Sequence, residues 1–261
     1  MREILEDAEG AAERGEVGPG KANRGRDKPS FPKRFYKSVS AKQADGGFSV
    51  FLDDKPVKTP GRHALLLPTA ESADLVMREW QAVETEINPL LMPVTRLVNT
   101  AVDGVANEIQ AVMEDIVRYA SSDLLLYRAE SPQELIDNQT KLWDPILDWL
   151  AEEIDAHFET GEGIMHVPQS KQAISQFGTR LEAHANPFRI TCLHTFTSLS
   201  GSAIIALALA EEQLDATTAW KAAHVDEDWN ISLWGEDYEA GERRKQRWTD
   251  FEAADRLLKS I

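Results

Sequence analysis

Between Asp226 and Glu242 the chain carries seven acidic side chains and no basic one: Asp226, Glu227, Asp228, Glu236, Asp237, Glu239 and Glu242. Trp229 and Trp234 are embedded among them, and Gly235 follows the second. Carboxylates at this density have three uses. They can sit at a solvated helix end and then in the positive first turn of a new helix after Gly235, which accounts for Glu236, Asp237 and Glu239. They can bind Mg²⁺ or Ca²⁺, although the spacing fits no standard oxygen-ligand loop and Trp229 offers no donor. They can form a docking patch, with aromatic anchors ringed by acids facing a basic partner.

Other reactive constellations are missing from the sequence. There is no phosphate-cradling loop ending in Gly-Lys-Ser/Thr, no Gly-x-Ser-x-Gly elbow and no His-Glu-x-x-His. The six histidines, His63, His157, His166, His184, His194 and His224, never fall four apart. His194 lies in an apolar stretch and reads as a satisfied core histidine. Cys192 stands alone, which excludes an internal disulfide and a cysteine-rich zinc site and suits a reducing compartment. Gly161-Glu162-Gly163 reads as a loop, with no strand before it to make a nucleotide fingerprint.

The 261 residues hold 28 Lys+Arg against 44 Asp+Glu, a formal net charge of −16. Nucleic acid and anionic membranes demand clustered cations, so both are poor partners for this chain. Hydrophobic residues make up 42%, enough for a large core without staples. Residues 1–30 resemble neither a secretory signal nor a transit peptide: acids run through residues 3–16, and Gly, Pro and charge dominate residues 15–32. They read as an unstructured lead-in, and the compartment as a bacterial cytoplasm. Residues 190–210 carry no charge, yet Thr191, His194, Thr195, Thr197, Ser198, Ser200 and Ser202 interrupt them. A buried central helix is expected there, not a membrane span.

The period of the pattern then locates the elements. Residues 34–39, 48–52, 57–59 and 64–67 are rich in β-branched and aromatic residues. Gly46-Gly47, Asp53-Asp54-Lys55 and Pro60-Gly61 punctuate them, which predicts a small antiparallel β unit over residues 31–70. From Thr69 the spacing becomes helical, with Ala73, Val76, Trp80, Val83 and Ile87 on one face. Further helices are predicted over residues 95–126, from Pro132 onward with Phe158 on its apolar face and Pro145 as a kink or break, and over 169–185, 188–212, 216–233 and 236–259. The fold class is α+β: a small N-terminal antiparallel β domain followed by a larger α-helical domain over residues 71–261. Asp123 with Arg128, and Arg96 with Asp103, are candidates for buried ion pairs. Gly201-Ser202 is expected to permit close helix packing. Trp80, Trp143 and Trp149 read as core.

Several motifs in order carry a resemblance. They are Arg34-Phe35-Tyr36-Lys37; residues 52–60; Glu79-Trp80; residues 92–97 with Asn99-Thr100 and Asp103; residues 122–128, where Leu125 departs from an expected small or polar residue; Gln139 with Trp143-Asp144-Pro145; Gly201-Ser202 with residues 206–210; and Asp226-Glu227 with Trp234-Gly235-Glu236-Asp237. Over residues 31–260 the chain resembles the ATP synthase assembly chaperones of mitochondria and alphaproteobacteria, in the branch that binds the α subunit of the catalytic head. The resemblance implies a non-enzymatic protein, monomeric when free, that needs no cofactor, metal or ATP and holds unassembled α subunit until the β subunit replaces it. It also implies that the acidic C-terminal segment matters. Asp226, Glu227, Trp229, Trp234, Gly235, Glu236 and Asp237 are therefore the candidate partner-binding residues, with Glu227 and Glu236 foremost. The alternatives are a metal-dependent hydrolase using Asp226, Glu227, Glu236 and Asp237, and a holdase of no client preference.

Overall fold

The computed structural model describes residues 31–261, so the expected lead-in over residues 1–30 lies outside the described residues. Strands β1 (Val39–Ala44) and β2 (Gly47–Leu52) pair antiparallel, with Val39 opposite Leu52 and Ala44 opposite Gly47. Asp45-Gly46 make the two-residue turn, and Gly46 takes the positive φ it requires, +85°. Short strands β3 (Lys55–Pro56) and β4 (Leu66–Leu67) both pair with β2, completing a four-stranded antiparallel sheet.

Helix α1 (Ala70–Ala82) starts at a capping box in which the Thr69 hydroxyl accepts from Ser72 N at 3.0 Å. It buries Ala73 and Val76 against the sheet side of the core. Helix α2 (Pro93–Thr100) lacks a side-chain cap of its own. The Glu79 carboxylate replaces one, accepting from Val94 N, Thr95 N and the Thr95 hydroxyl, each at 2.7 Å. Burial raises the pKa of Glu79 despite those bonds. A π-helical turn (Ala101–Val105) leads into α3 (Ala106–Ala120).

The remaining elements follow in order. Strand β5 (Tyr127–Arg128) precedes α4 (Gln133–Ile154), and β6 (Gly161–Glu162) follows it. Helices α5 (Lys171–Glu182), α6 (Pro187–Ser200), α7 (Ala203–Ala210), α8 (Ala216–Ala223), α9 (Val225–Trp234) and α10 (Tyr238–Lys259) complete the chain. The architecture is α+β, as the pattern predicts. One buried cluster runs from Val50, Leu52, Leu65 and Leu67 of the β-rich stretch through Trp143, Phe177 and Phe196 to Phe251 and Leu257. Residue by residue, sheet and helices share a core.

The structure differs from the sequence-based expectations at several breaks. Residues 34–37 form no strand; Lys33 bridges Glu86 and Arg34 N donates to Thr85 O, so this stretch runs along the exit of α1. The helix expected over residues 95–126 is divided into α2, the π turn and α3, with non-helical backbone at Glu108 and an end at Ala120, and the π turn carries Asp103 toward the β unit. Asp103 accepts from the Thr59 hydroxyl at 2.5 Å and Gly61 N at 2.8 Å, and lies 2.7 Å from His63 Nδ1. A Cβ on Gly61 would come within 2.7 Å of that carboxylate, so only glycine allows the clamp. Residues 188–212 form two helices, since Gly201 adopts φ +73° and Ser202 caps α7 through Ile205 N. Gly201 therefore serves backbone conformation; a Cβ there would meet nothing within 4 Å. Residues 216–233 break at His224 (φ −120°), whose Nδ1 lies 2.8 Å from Trp220 O. Pro145 is accommodated inside a continuous α4. Phe158 lies beyond α4, which ends at Asp155 in the left-handed conformation, and packs edge-on to Phe177. Gly161 and Glu162, expected as part of a loop, instead form strand β6.

Neither expected ion pair forms. Arg96 reaches Asp250 on α10 at 2.5 Å, and Arg128 pairs with Asp144 at 2.8 Å while lying over the Trp143 ring. Asp123 is fully buried and serves backbone amides: Leu125 N at 3.1 Å and Ile204 N at 3.0 Å. It thereby ties the end of α3 to the start of α7. Desolvation outweighs these bonds and lifts its pKa to about 6, against 3.8 for the free carboxyl. The folded state thus holds the proton more tightly than the unfolded one. The stabilisation is complete below pH 3.8 and disappears as pH rises through 6. Compared with Asp123→Asn, which has no proton to lose, the wild type should lose about 2–3 kcal/mol of relative stability between pH 4 and pH 7. Urea melts of both proteins across that range check this, and a pH-independent difference would refute it.

His194 is half-buried, with Nε2 3.1 Å from Asp115 Oδ2, and burial lowers its pKa. Cys192 is fully buried and its thiol pKa is driven far up by desolvation, which removes thiolate character. No described helix is long and apolar enough to cross a membrane.

Candidate functional site

The acidic C-terminal segment is built by two helices and the turn between them. Helix α9 begins with Val225 buried and with Asp226, Glu227 and Asp228 in its first turn, where the helix dipole favours carboxylates. It ends at Gly235, whose φ of +82° and ψ of 167° lie in a region that side chains other than glycine's do not enter without strain. Asp237 then caps α10, its Oδ1 accepting from Ala240 N at 2.9 Å. Asp228 and Arg244 join the two helices at 2.5 Å. The far end of α10 is locked in the core by Phe251, Ala254, Leu257 and Leu258, so the turn at its near end is held by a rigid element.

The candidate residues thus divide by role. Gly235 and Asp237 make the turn. Asp226 faces α4: its Oδ1 accepts from Gln139 Nε2 at 2.7 Å, and the Oε1 of that buried glutamine accepts from Ala129 N at 2.9 Å. Trp229 is half-buried. Trp234 is 84% exposed, and among the described residues neither Glu227 nor Glu236 has a hydrogen-bond partner. Glu227, Ile231 and Trp234 recur at i, i+4 and i+7 and so share one face of α9. Opposite them run Glu236, Asp237 and the first turn of α10, and between lies an open groove of about 420 Å³. The Glu236 carboxylate lies against Gly241, where a Cβ would approach it to 2.9 Å.

The structure therefore gathers Glu227, Trp234, Gly235, Glu236 and Asp237 at one groove and leaves Asp226 and Trp229 outside its lining. Sequence reasoning missed Asn230 and Ile231 in the wall, and the exposed Leu233 (54%) and Tyr238 (79%) flanking Trp234. The helical spacing from Glu227 could have found the first two. Nothing in the pattern separates an exposed Leu233 from a buried one.

Chemically, the groove offers apolar surface between carboxylates. Among the described residues no three His, Cys, Asp or Glu side chains come together as cation ligands. A second groove of about 470 Å³ runs along α4, but its cation, Arg128, is already committed to Asp144 and to the Trp143 ring.

Comparison with known proteins bears on the meaning of this surface. A family model described as ATP12 chaperone protein matches residues 33–151. The crystal structure of Atp12 from Paracoccus denitrificans superposes with a TM-score of 0.81 and is 36% identical, covering 87% of this chain and 97% of that one. The chain belongs to the ATP12 chaperone family. A protein from Agrobacterium tumefaciens, described as a candidate chaperone, is 49% identical with a TM-score of 0.85 over 88% of this chain and 86% of its own. The mitochondrial protein atp12 of Schizosaccharomyces pombe is 22% identical over 219 residues, spanning 79% of this chain and 75% of that protein. The ATP12 family model ends inside α4, ahead of the groove, whereas the likeness to the bacterial structures extends over nearly nine-tenths of the chain.

Proposed function

We propose that this chain is an assembly chaperone of the ATP synthase catalytic head, acting in a bacterial cytoplasm. It binds unassembled α subunit and prevents its aggregation until the β subunit displaces it. A free subunit exposes the surface meant for its neighbour, and such a surface self-associates. The chaperone must cover it loosely enough to be replaced. The observation that carries this reading is Trp234, 84% exposed between Glu227 and Glu236 on a rigidly held turn, in a chain of the ATP12 family. An exposed indole supplies contact area, and the neighbouring carboxylates steer a basic surface and raise the encounter rate more than the affinity. No cofactor, metal or nucleotide is needed for such a step.

Light scattering tests this. One equivalent of the protein should suppress aggregation of isolated α subunit, and added β subunit should release the complex. Unrelated aggregating proteins should gain little protection; equal protection would favour a holdase without client preference. No effect on α subunit overturns the proposal.

A further inference from the structure

One loop stands outside everything assigned above. Strand β6 pairs in parallel with β5, Tyr127 beside Gly161 and Arg128 beside Glu162, and Gly163 N donates to Arg128 O at 2.9 Å. Gln169 closes the neck: its Oε1 accepts from Glu159 N at 2.8 Å, and its Nε2 donates to Glu159 O at 2.9 Å and Val167 O at 3.1 Å. The Tyr127 hydroxyl lies 3.2 Å from His166 Nδ1. Compact loops closed at the neck in this way hold their shape and are frequent contact points. At the tip stand Ile164, 98% exposed, and Met165, 77% exposed. The loop's hydrogen bonds hold two apolar side chains out in water, and they add nothing to the core.

Their surroundings define what could cover them. No Lys or Arg occurs between Lys141 and Lys171, while Glu162, two residues before Ile164, and Glu159, at the neck, are exposed. The Glu130 carboxylate lies so close that a Cβ on Gly163 would come within 2.4 Å of it. An apolar tip on a loop carrying carboxylates and no cation is repelled by anionic lipid and complements an apolar pocket with a basic rim. The stretch just after β5 is also tied to the helix that walls the groove. Gln139 holds Ala129, next to β5, with one end of its amide and Asp226, in the first turn of α9, with the other.

We propose that Ile164 and Met165 are a second docking point, inserting into an apolar, basic-rimmed pocket of the same client subunit that engages the groove. This rests on the chaperone reading above. Two weak contacts on one client give useful affinity while letting a competitor displace them one at a time.

The test is the Ile164→Ser/Met165→Ser double variant. Both side chains are exposed, so its thermal midpoint should match the wild type. Its Kd for isolated α subunit should rise at least ten-fold, mainly through faster dissociation. Combined with Trp234→Ala, the fold-changes should multiply, as expected for separate sites. Binding within two-fold of wild type overturns the second docking point alone. So does retained α-subunit affinity accompanied by loss of binding to vesicles of phosphatidylglycerol, which would assign the tip to lipid. If wild-type protein captures no α subunit, the chaperone reading falls and this docking point with it.

Discussion

The double variant Glu227→Lys/Glu236→Lys is expected to fold normally and to lose client protection. Among the described residues neither carboxylate hydrogen-bonds to another side chain, so reversal breaks no ion pair; the lysine in the first turn of α9 opposes the helix dipole at a cost of only about 0.3–1 kcal/mol. Arg244 is held by Asp228, which keeps the two helices joined. The cost falls on binding. Placing two ammonium groups where a basic surface must approach replaces attraction with repulsion on either side of Trp234. Like charges across an interface cost several kcal/mol, so a loss of ~3 kcal/mol, about a hundred-fold in Kd, is the expected scale. Light scattering with isolated α subunit, beside circular dichroism of the variant, reads both halves. A variant that folds and still protects α subunit would remove these glutamates from the docking face.

Trp143→Ala should produce the largest loss of stability. Trp143 is fully buried, its Nε1 donates to Ala222 O at 2.7 Å, and its ring carries the Arg128 guanidinium at 5.1 Å. Removing a buried indole costs about 3–5 kcal/mol through lost transfer energy and the cavity left behind. The Ala222 carbonyl, at the end of α8, would also lose its donor just ahead of the acidic segment. Trp143→Phe keeps most of the volume and loses the hydrogen bond, so its cost should be about 1–2 kcal/mol. Urea denaturation of the two variants separates packing from hydrogen bonding. Equal losses would mean that the N–H, not the ring, carries the effect.

The β-branched and aromatic run over residues 48–52 after the Gly46-Gly47 signal, and the change to a helical period after Thr69, are local, and β2 and α1 are legible from them. The turn itself falls one residue earlier, at Asp45-Gly46, the first strand at Val39–Ala44 instead of 34–39, and the third at Lys55–Pro56 instead of 57–59. Asp123 is legible as a residue with a role, but its partners are not. A buried carboxylate finds either a guanidinium or backbone amides, and the amides of α7 lie eighty positions away in the chain. Arg128 and Asp103 went the same way, each drawn to a group that only the folded chain places beside it. Gly201 shows another ambiguity: a glycine that spares room and one that supplies a positive φ look alike in sequence. At the groove, Trp234-Gly235-Glu236-Asp237 is legible as a unit. Which half of it builds the turn and which half is left free depends on cap geometry, and so emerges only from the structure.

The seven tryptophans are unevenly placed: Trp143 and Trp220 are buried, Trp80, Trp149, Trp229 and Trp248 are partly covered, and Trp234 alone stands in water. The long-wavelength edge of the intrinsic emission therefore belongs mostly to one ring, at the mouth of the groove. A neutral quencher such as acrylamide would reach that ring first, whereas iodide would be held off by the net charge of −16. Occupancy of the groove can be followed without any attached dye, as a blue shift and a loss of quenching from a fluorophore the chain already carries.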